Sequence, residues 1–177
     1  MQKQKGGSMK KTAALVFLAF MAVGFACDGD KGAAGPAAAA ARKEIAPAAG
    51  KAYDCKYFTM TVAEGWEAGP LTFGMVNVLP RGKVSPGLYF KFEGDGNAAG
   101  TAEASIAAMI KNYNGTPMAE RSIAGTVFKA TTYNYSGMTQ ALLVAFRNGT
   151  KITITIEGAN AVNDPGIQSM LASVALK

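Results

Sequence analysis

The sequence has 177 residues, 49% of them hydrophobic, and a formal charge of +6, which suits one globular domain with accessory segments. It has no histidine and two cysteines, which excludes Ser-His-Asp and Cys-His nucleophile systems, His-ligated metals, four-thiolate zinc sites and a disulfide scaffold. Of its 18 basic residues, Lys3, Lys5, Lys10 and Lys11 precede an apolar segment; the other 14 are scattered among 12 acidic residues, so no nucleic-acid-binding face is expected.

Lys10 and Lys11 lead into an apolar run from Ala13 to Ala26. At 1.5 Å per residue such a run reaches about 21 Å, short of a ~30 Å hydrocarbon core. Residues 1–26 therefore read as a signal peptide, with Met9 as its expected start. The run ends Gly24-Phe25-Ala26-Cys27. This resembles a bacterial lipobox, in which small residues precede a cysteine that is acylated and becomes the new N-terminus. Gly24 stands where that pattern usually has leucine. Cleavage after Ala26 without lipidation is the alternative, and it leaves Cys27 free or paired with Cys55. Lipidation of Cys27 implies a membrane anchor, because two or three acyl chains bind far more firmly than one. The expected location is the cell envelope, on the inner or outer membrane, with the domain in the periplasm or otherwise outside the cytoplasm.

Residues 27–51 hold Cys27 and then DGDKGAAGPAAAAARKEIAPAAGK, in which Ile45 is the one sizeable apolar side chain. Such a segment buries too little to offset its ordering entropy. It reads as a tether of roughly 27 Å r.m.s. span, taking about 5–6 Å × √n. Asp28 resembles the inner-membrane retention signal of some lipoproteins.

Residues 52–177 carry the periodic patterns of a folded domain. Tyr57 to Val62 alternates, with Phe58, Met60 and Val62 on one side, and predicts a half-buried strand. Gly65 and Trp66 follow in a turn-like stretch. Strands are expected over Thr72–Leu79, closed by Pro80, and over Leu88–Glu93, with Leu88, Phe90 and Phe92 inward. Ile106, Met109, Ile110 and Tyr113 then fall at helical spacing, with Thr101 as cap and Gly115 as terminator. Four strands follow in close succession, at 118–123, 126–135, 138–147 and 150–157, with turns at Gly125, Ser136-Gly137 and Asn148-Gly149. A two-residue turn at Asn148-Gly149 pairs Arg147 with Thr150. That register sets Leu143 and Ala145 beside Ile152 and Ile154 on one face, and Leu142, Val144 and Phe146 on the other. Strand 138–147 is apolar on both sides, so it belongs in the sheet interior with both faces covered. Asp164 and Pro165 open a last helix with Ile167, Met170, Leu171 and Val174 as its stripe. The expected fold is α+β: a seven-stranded, mainly antiparallel sheet with helices packed on it, a three-layer α/β/α sandwich.

Gly65-Trp66 after the first strand, the mid-chain helix, the four closing strands, Gly125-x-x-Phe128-x-Ala130-x-x-Tyr133, the Gln140 strand and the ending Leu-Ala-Ser-Val-Ala-Leu-Lys resemble the PsbP-like sandwich, over residues 52–177. That superfamily includes photosystem extrinsic subunits, a nuclear-import Ran-binding factor and DcrB-type bacterial lipoproteins. Bacterial relatives often have proline before the Gly-Trp pair, where this chain has Ala63 and Glu64. No shared catalytic set comes with the resemblance. It implies a binding or assembly role, by analogy of fold.

No catalytic motif and no cofactor-binding motif stands out. Cys55 lies between Asp54 and Lys56, but without histidine it lacks a base. Glu93, Asp95 and Asn97 alternate as in the start of a calcium loop, yet Ala98 and Ala104 occupy the required Gly and Glu positions, so turn chemistry explains them and no metal site is expected. The sequons at Asn114, Asn134 and Asn148 are fortuitous behind a bacterial export signal. If the first three strands alternate in one sheet, Glu64, Trp66, Glu67, Glu93, Asp95 and Asn97 gather at one pole, with Arg81 and Lys83 at the other. That acidic, aromatic pole is the candidate contact surface; the stronger reading of Trp66 itself is that it plugs the end of the core. The expected function is that of a non-enzymatic, membrane-anchored lipoprotein that binds an envelope protein or assists a membrane complex. A small-ligand or cation-binding lipoprotein is the alternative, and a carboxylate-dependent hydrolase comes last.

Overall fold

The computed structural model describes residues 50–94 and 100–177. The stretch read as signal peptide and tether up to residue 49, Cys27 included, lies outside the described residues, as do Asp95 and Asn97. The strands are β1 (Gly50–Asp54), β2 (Phe58–Ala63), β3 (Trp66–Ala68), β4 (Met75–Pro80) and β5 (Gly87–Glu93). After helix α1 (Ala102–Tyr113) come β6 (Thr116–Ile123), β7 (Thr126–Tyr135), β8 (Met138–Arg147) and β9 (Thr150–Glu157). A short 3-10 turn, helix α2 (Pro165–Ala172) and β10 (Ala175–Leu176) close the chain.

The C-terminal meander follows from its turns. Ala124-Gly125, Ser136-Gly137 and Asn148-Gly149 all have positive φ at both residues, Asn148 at 50° and Gly149 at 73°. Such turns match the right-handed twist of the strands they join. The register is the expected one: Arg147 opposite Thr150, Ala145 opposite Ile152, Leu143 opposite Ile154. β8 lies inside a fully antiparallel seven-stranded sheet of order β3-β4-β5-β9-β8-β7-β6. Its two apolar faces enter two separate clusters. Ala141, Leu143 and Ala145 join the larger core with Phe58, Phe90, Ile154, Ile167 and Met170. Leu142 and Val144 meet Ile106 of α1 and Tyr133 on the other side. The sheet is therefore the middle of three layers.

Both helices start where the sequence places their caps. The Thr101 hydroxyl accepts from the Ala104 N–H at 3.1 Å, and the Asp164 carboxylate accepts from the Ile167 N–H at 3.0 Å. At the end of α1 the left-handed residue is Asn114 (φ 50°) rather than Gly115, a conformation asparagine tolerates. Gly115 serves close approach instead, since a Cβ there would lie 2.9 Å from Thr131 Oγ1.

The sheet differs from expectation at one edge. The strand expected over 57–62 is β2, and it leaves the large sheet for a three-stranded one of order β1-β2-β10. The seventh strand of the large sheet is β3, within the stretch expected as a turn. The chain switches sheets at Glu64-Gly65, where Gly65 has φ 80°. β1 starts at Gly50, two residues inside the stretch read as tether, and pairs with β2 from Gly50↔Ala63 to Asp54↔Thr59. α2 ends at Ala172, and Ala175–Leu176 pairs back onto Thr59 and Phe58. The small sheet and α2 together form the layer opposite α1, with the Phe58 ring stacked 4.5 Å from Phe90.

Candidate functional site

β3 fixes the place of the candidate residues. Trp66 lies opposite Pro80 and Glu67 opposite Leu79. This brings the Glu67 carboxylate to the Arg81 guanidinium, Oε1 to Nε 2.8 Å, with both side chains largely in solvent. An exposed pair of this kind contributes about 0–1 kcal/mol, so it orients side chains more than it stabilises. Trp66 is half-buried and packs against the main core cluster. Its indole also covers the first turn of α2, where a Cβ on Gly166 would come 3.0 Å from Trp66 Nε1. Glu64 is exposed in the turn before it. Trp66 is thus packed against the core in part and accessible in part.

These residues line a groove of about 670 Å³ between β1, the Glu64-Gly65 turn and β3, with Lys51, Tyr53 and Arg81 also on its walls. The groove borders all three residues of β3 and none of β4, so it runs along the unpaired side of β3. Burial raises the Tyr53 phenol above its ordinary pKa, with the neighbouring Cys55 adding to the effect.

Glu93 is not part of this group. In the β4–β5 pairing, Met75 faces Lys91 and Val78 faces Leu88, so Glu93 lies at the opposite end of the sheet from Trp66 and Pro80. There it sits across from Lys151 beside the Asn148-Gly149 turn. Its carboxylate meets Lys91 Nζ at 2.7 Å and Lys151 Nζ at 3.7 Å. The hydrogen bond from Lys91 is the main reason its pKa is lowered. The single acidic pole is therefore corrected: Glu64, Trp66 and Glu67 share one end with Arg81, and Glu93 is at the other between two lysines. β3 supplies the cause. One extra short strand reverses the chain once more than expected and exchanges the two ends. Asp95 and Asn97 lie outside the described residues.

Cys55 is half-buried and has no disulfide partner among the described residues. Its N–H donates to Phe58 O at 3.0 Å, and its carbonyl accepts from Lys177 Nζ at 2.8 Å. Lys56, its neighbour in sequence, lies over the Tyr57 ring at 5.1 Å. Among the described residues no group of three His, Cys, Asp or Glu side chains could hold a metal, and no helix is long and apolar enough to cross a membrane.

The structure also shows a polar chain that pattern reading passed over. The Tyr133 hydroxyl donates to Gln140 Oε1 at 2.6 Å, and Gln140 Nε2 donates to Glu157 Oε2 at 2.9 Å. Burial, then the Tyr113 and Glu157 neighbours, push the Tyr133 phenol upward. The signal was a glutamine within the apolar strand MTQALLVAFR. The chain satisfies Gln140 beside the α1 layer, which is a structural task.

No family model matches the sequence, and no curated protein matches it. Among solved structures the chain is similar to a crystal structure from Bacteroides thetaiotaomicron VPI-5482, with a TM-score of 0.51 and 12% identity over 72% of this chain and 48% of that one. It thus spans about half the length of that protein. It is also similar to the solution structure of cyanobacterial PsbP (CyanoP) from Synechocystis sp. PCC 6803, with a TM-score of 0.47 and 12% identity over 72% of this chain and 92% of that one. At 12% identity the likeness to the Bacteroides structure concerns the fold alone. The antiparallel seven-stranded sheet with α1 on one face and β2 and α2 on the other is the expected three-layer sandwich.

Proposed function

We propose that this chain is a membrane-anchored envelope lipoprotein whose sandwich domain binds another envelope protein, or assists a membrane complex, without catalysing a reaction. The observation that carries the binding role is the groove beside β3. It gathers an accessible part of Trp66, an orienting Glu67–Arg81 pair and Tyr53 along the unpaired edge of β3. Partly buried aromatic surface ringed by charge suits association. Support for the anchor is the leader that ends at Cys27 and the Ala/Gly/Pro-rich stretch after it. The tether gives the domain reach from a membrane surface, and its attachment at Gly50 lies beside the groove.

Two measurements test this reading. Mass spectrometry of the mature N-terminus is expected to find an acylated Cys27, and Cys27→Ser is expected to move the protein from the membrane to the soluble fraction. Crosslinking in intact cells is expected to join the domain to a defined envelope protein. A soluble wild-type protein with an unmodified N-terminal Cys27 removes the anchor. The absence of any crosslinked protein removes the binding role.

A further inference from the structure

We infer that the partner enters the groove as an extended segment and adds a strand to the free edge of β3. This rests on the protein-binding reading above and names the form its ligand takes. Gly69 N–H donates to Asn77 O at 2.8 Å, and Arg81 N–H donates to Gly65 O at 2.7 Å. Hydrogen-bonded positions alternate along an antiparallel pair. Gly65, Glu67 and Gly69 therefore turn their backbone groups toward β4, and Trp66 and Ala68 turn theirs away. Pro80, opposite Trp66, has no N–H to offer in any case. Among the described residues no strand lies beyond β3, so two N–H and two C=O groups face the groove in line.

Only an extended backbone matches such a row, and main-chain pairing of this kind is a general mode of peptide capture. The other edge of the same sheet is closed to it. β6 carries Pro117 and a register shift between Met118 and Arg121, both devices that blunt strand edges. β3 has neither. With three residues, about 10 Å at 3.3 Å per residue, β3 cannot hold a peptide by its backbone alone. The second wall of the groove, with Tyr53 and Lys51 of β1, supplies the remaining contact. Trp66 and Ala68 pack toward the core while Glu67 faces solvent. The added strand accordingly alternates apolar residues, on the Trp66 side, with polar residues on the Glu67 side.

The probe is a library of random, end-blocked decapeptides selected against the full chain in detergent. Selected peptides are expected to alternate apolar and polar residues and to slow amide exchange at Trp66 and Ala68. Ala68→Pro is the decisive variant. It removes an N–H that β4 does not use, so the melting curve is expected to stay close to wild type while peptide affinity falls at least tenfold. The peptide provides a second measurement that leaves the protein unaltered. N-methylation at alternate peptide residues is expected to weaken binding at least tenfold, and moving each methyl by one residue to restore it. A folded Ala68→Pro that binds as wild type does, exchange protection elsewhere, N-methyl effects without alternation, or no selected peptide overturns the proposal. In cells, partners that Ala68→Pro still captures remove this edge and leave the protein-binding reading standing. Loss of all capture by the wild-type chain removes the reading itself.

Discussion

The two faces of β8 are both apolar in sequence and differ in what they meet. Ala141, Leu143 and Ala145 enter a continuous core shared with β2, β4, β5, β6, β7, β9 and α2. Leu142 and Val144 meet only α1 and Tyr133, in a small cluster with Met109, Ile110 and Phe146 at its margin. The helices differ in the same sense. α2 buries Ile167, Ser169, Met170 and Leu171, whereas α1 buries Ile106 alone. Alternation along a strand tells which residues share a face; it does not tell how much lies over that face. The α2 side is a load of long-range contacts between both ends of the domain, and the α1 side is a lid laid over one part of the sheet.

The largest expected effect tests that asymmetry directly. Phe90 is almost fully buried between Phe58 and the sheet, and Phe90→Ala is expected to cost about 3–5 kcal/mol. Ile106→Ala, on the other face, is expected to cost about 2 kcal/mol, the low end for a buried aliphatic truncation, because α1 has room to settle. Denaturant unfolding of both variants measures the difference. Equal losses would break the comparison.

The next effect concerns the polar chain at the rim of the α1 face. Gln140→Ala leaves the Tyr133 hydroxyl without its acceptor and is expected to cost about 1–3 kcal/mol. Combining it with Tyr133→Phe is expected to cost less than the sum of the two single changes, since both remove one hydrogen bond. Strict additivity would show that the two groups act independently and that the chain adds nothing to the hold of α1.

Local chemistry was legible in the sequence, and distant pairing was not. The turns at Ser136-Gly137 and Asn148-Gly149, the register of β8 on β9, and the caps Thr101 and Asp164 are short-range features with short-range causes. β1 and β10 pair with β2 from opposite ends of the domain, and no periodicity in five or two residues announces that. β3 has three residues, too few for alternation to register, and overlooking it exchanged the ends of the first hairpins. Glu64, Trp66 and Glu67 were legible as neighbours because they are adjacent in sequence. Arg81 as their companion, and Glu93 as a stranger to them, depend on that one short strand.

The smallest effect sharpens the lid comparison by local rather than global stability. The Thr101 hydroxyl holds the Ala104 N–H at the start of α1, and Thr101→Ala is expected to cost about 1 kcal/mol, as loss of an N-cap does. Asp164 plays the same part for α2. The two helices differ in what remains once a cap is gone. α2 stays pinned by its buried residues and is expected to open only with the whole domain. α1 has Ile106 and partial burial of Met109 and Ile110, so it is expected to open by itself, as weakly anchored elements do. Amide exchange separates the cases. In Thr101→Ala, exchange through the first turns of α1 should quicken by roughly fivefold, about 1 kcal/mol in population, while amides of β8 and α2 change less. Uniform quickening across both layers would mean that α1 unfolds with the core, and the sheet would then have two equivalent faces after all.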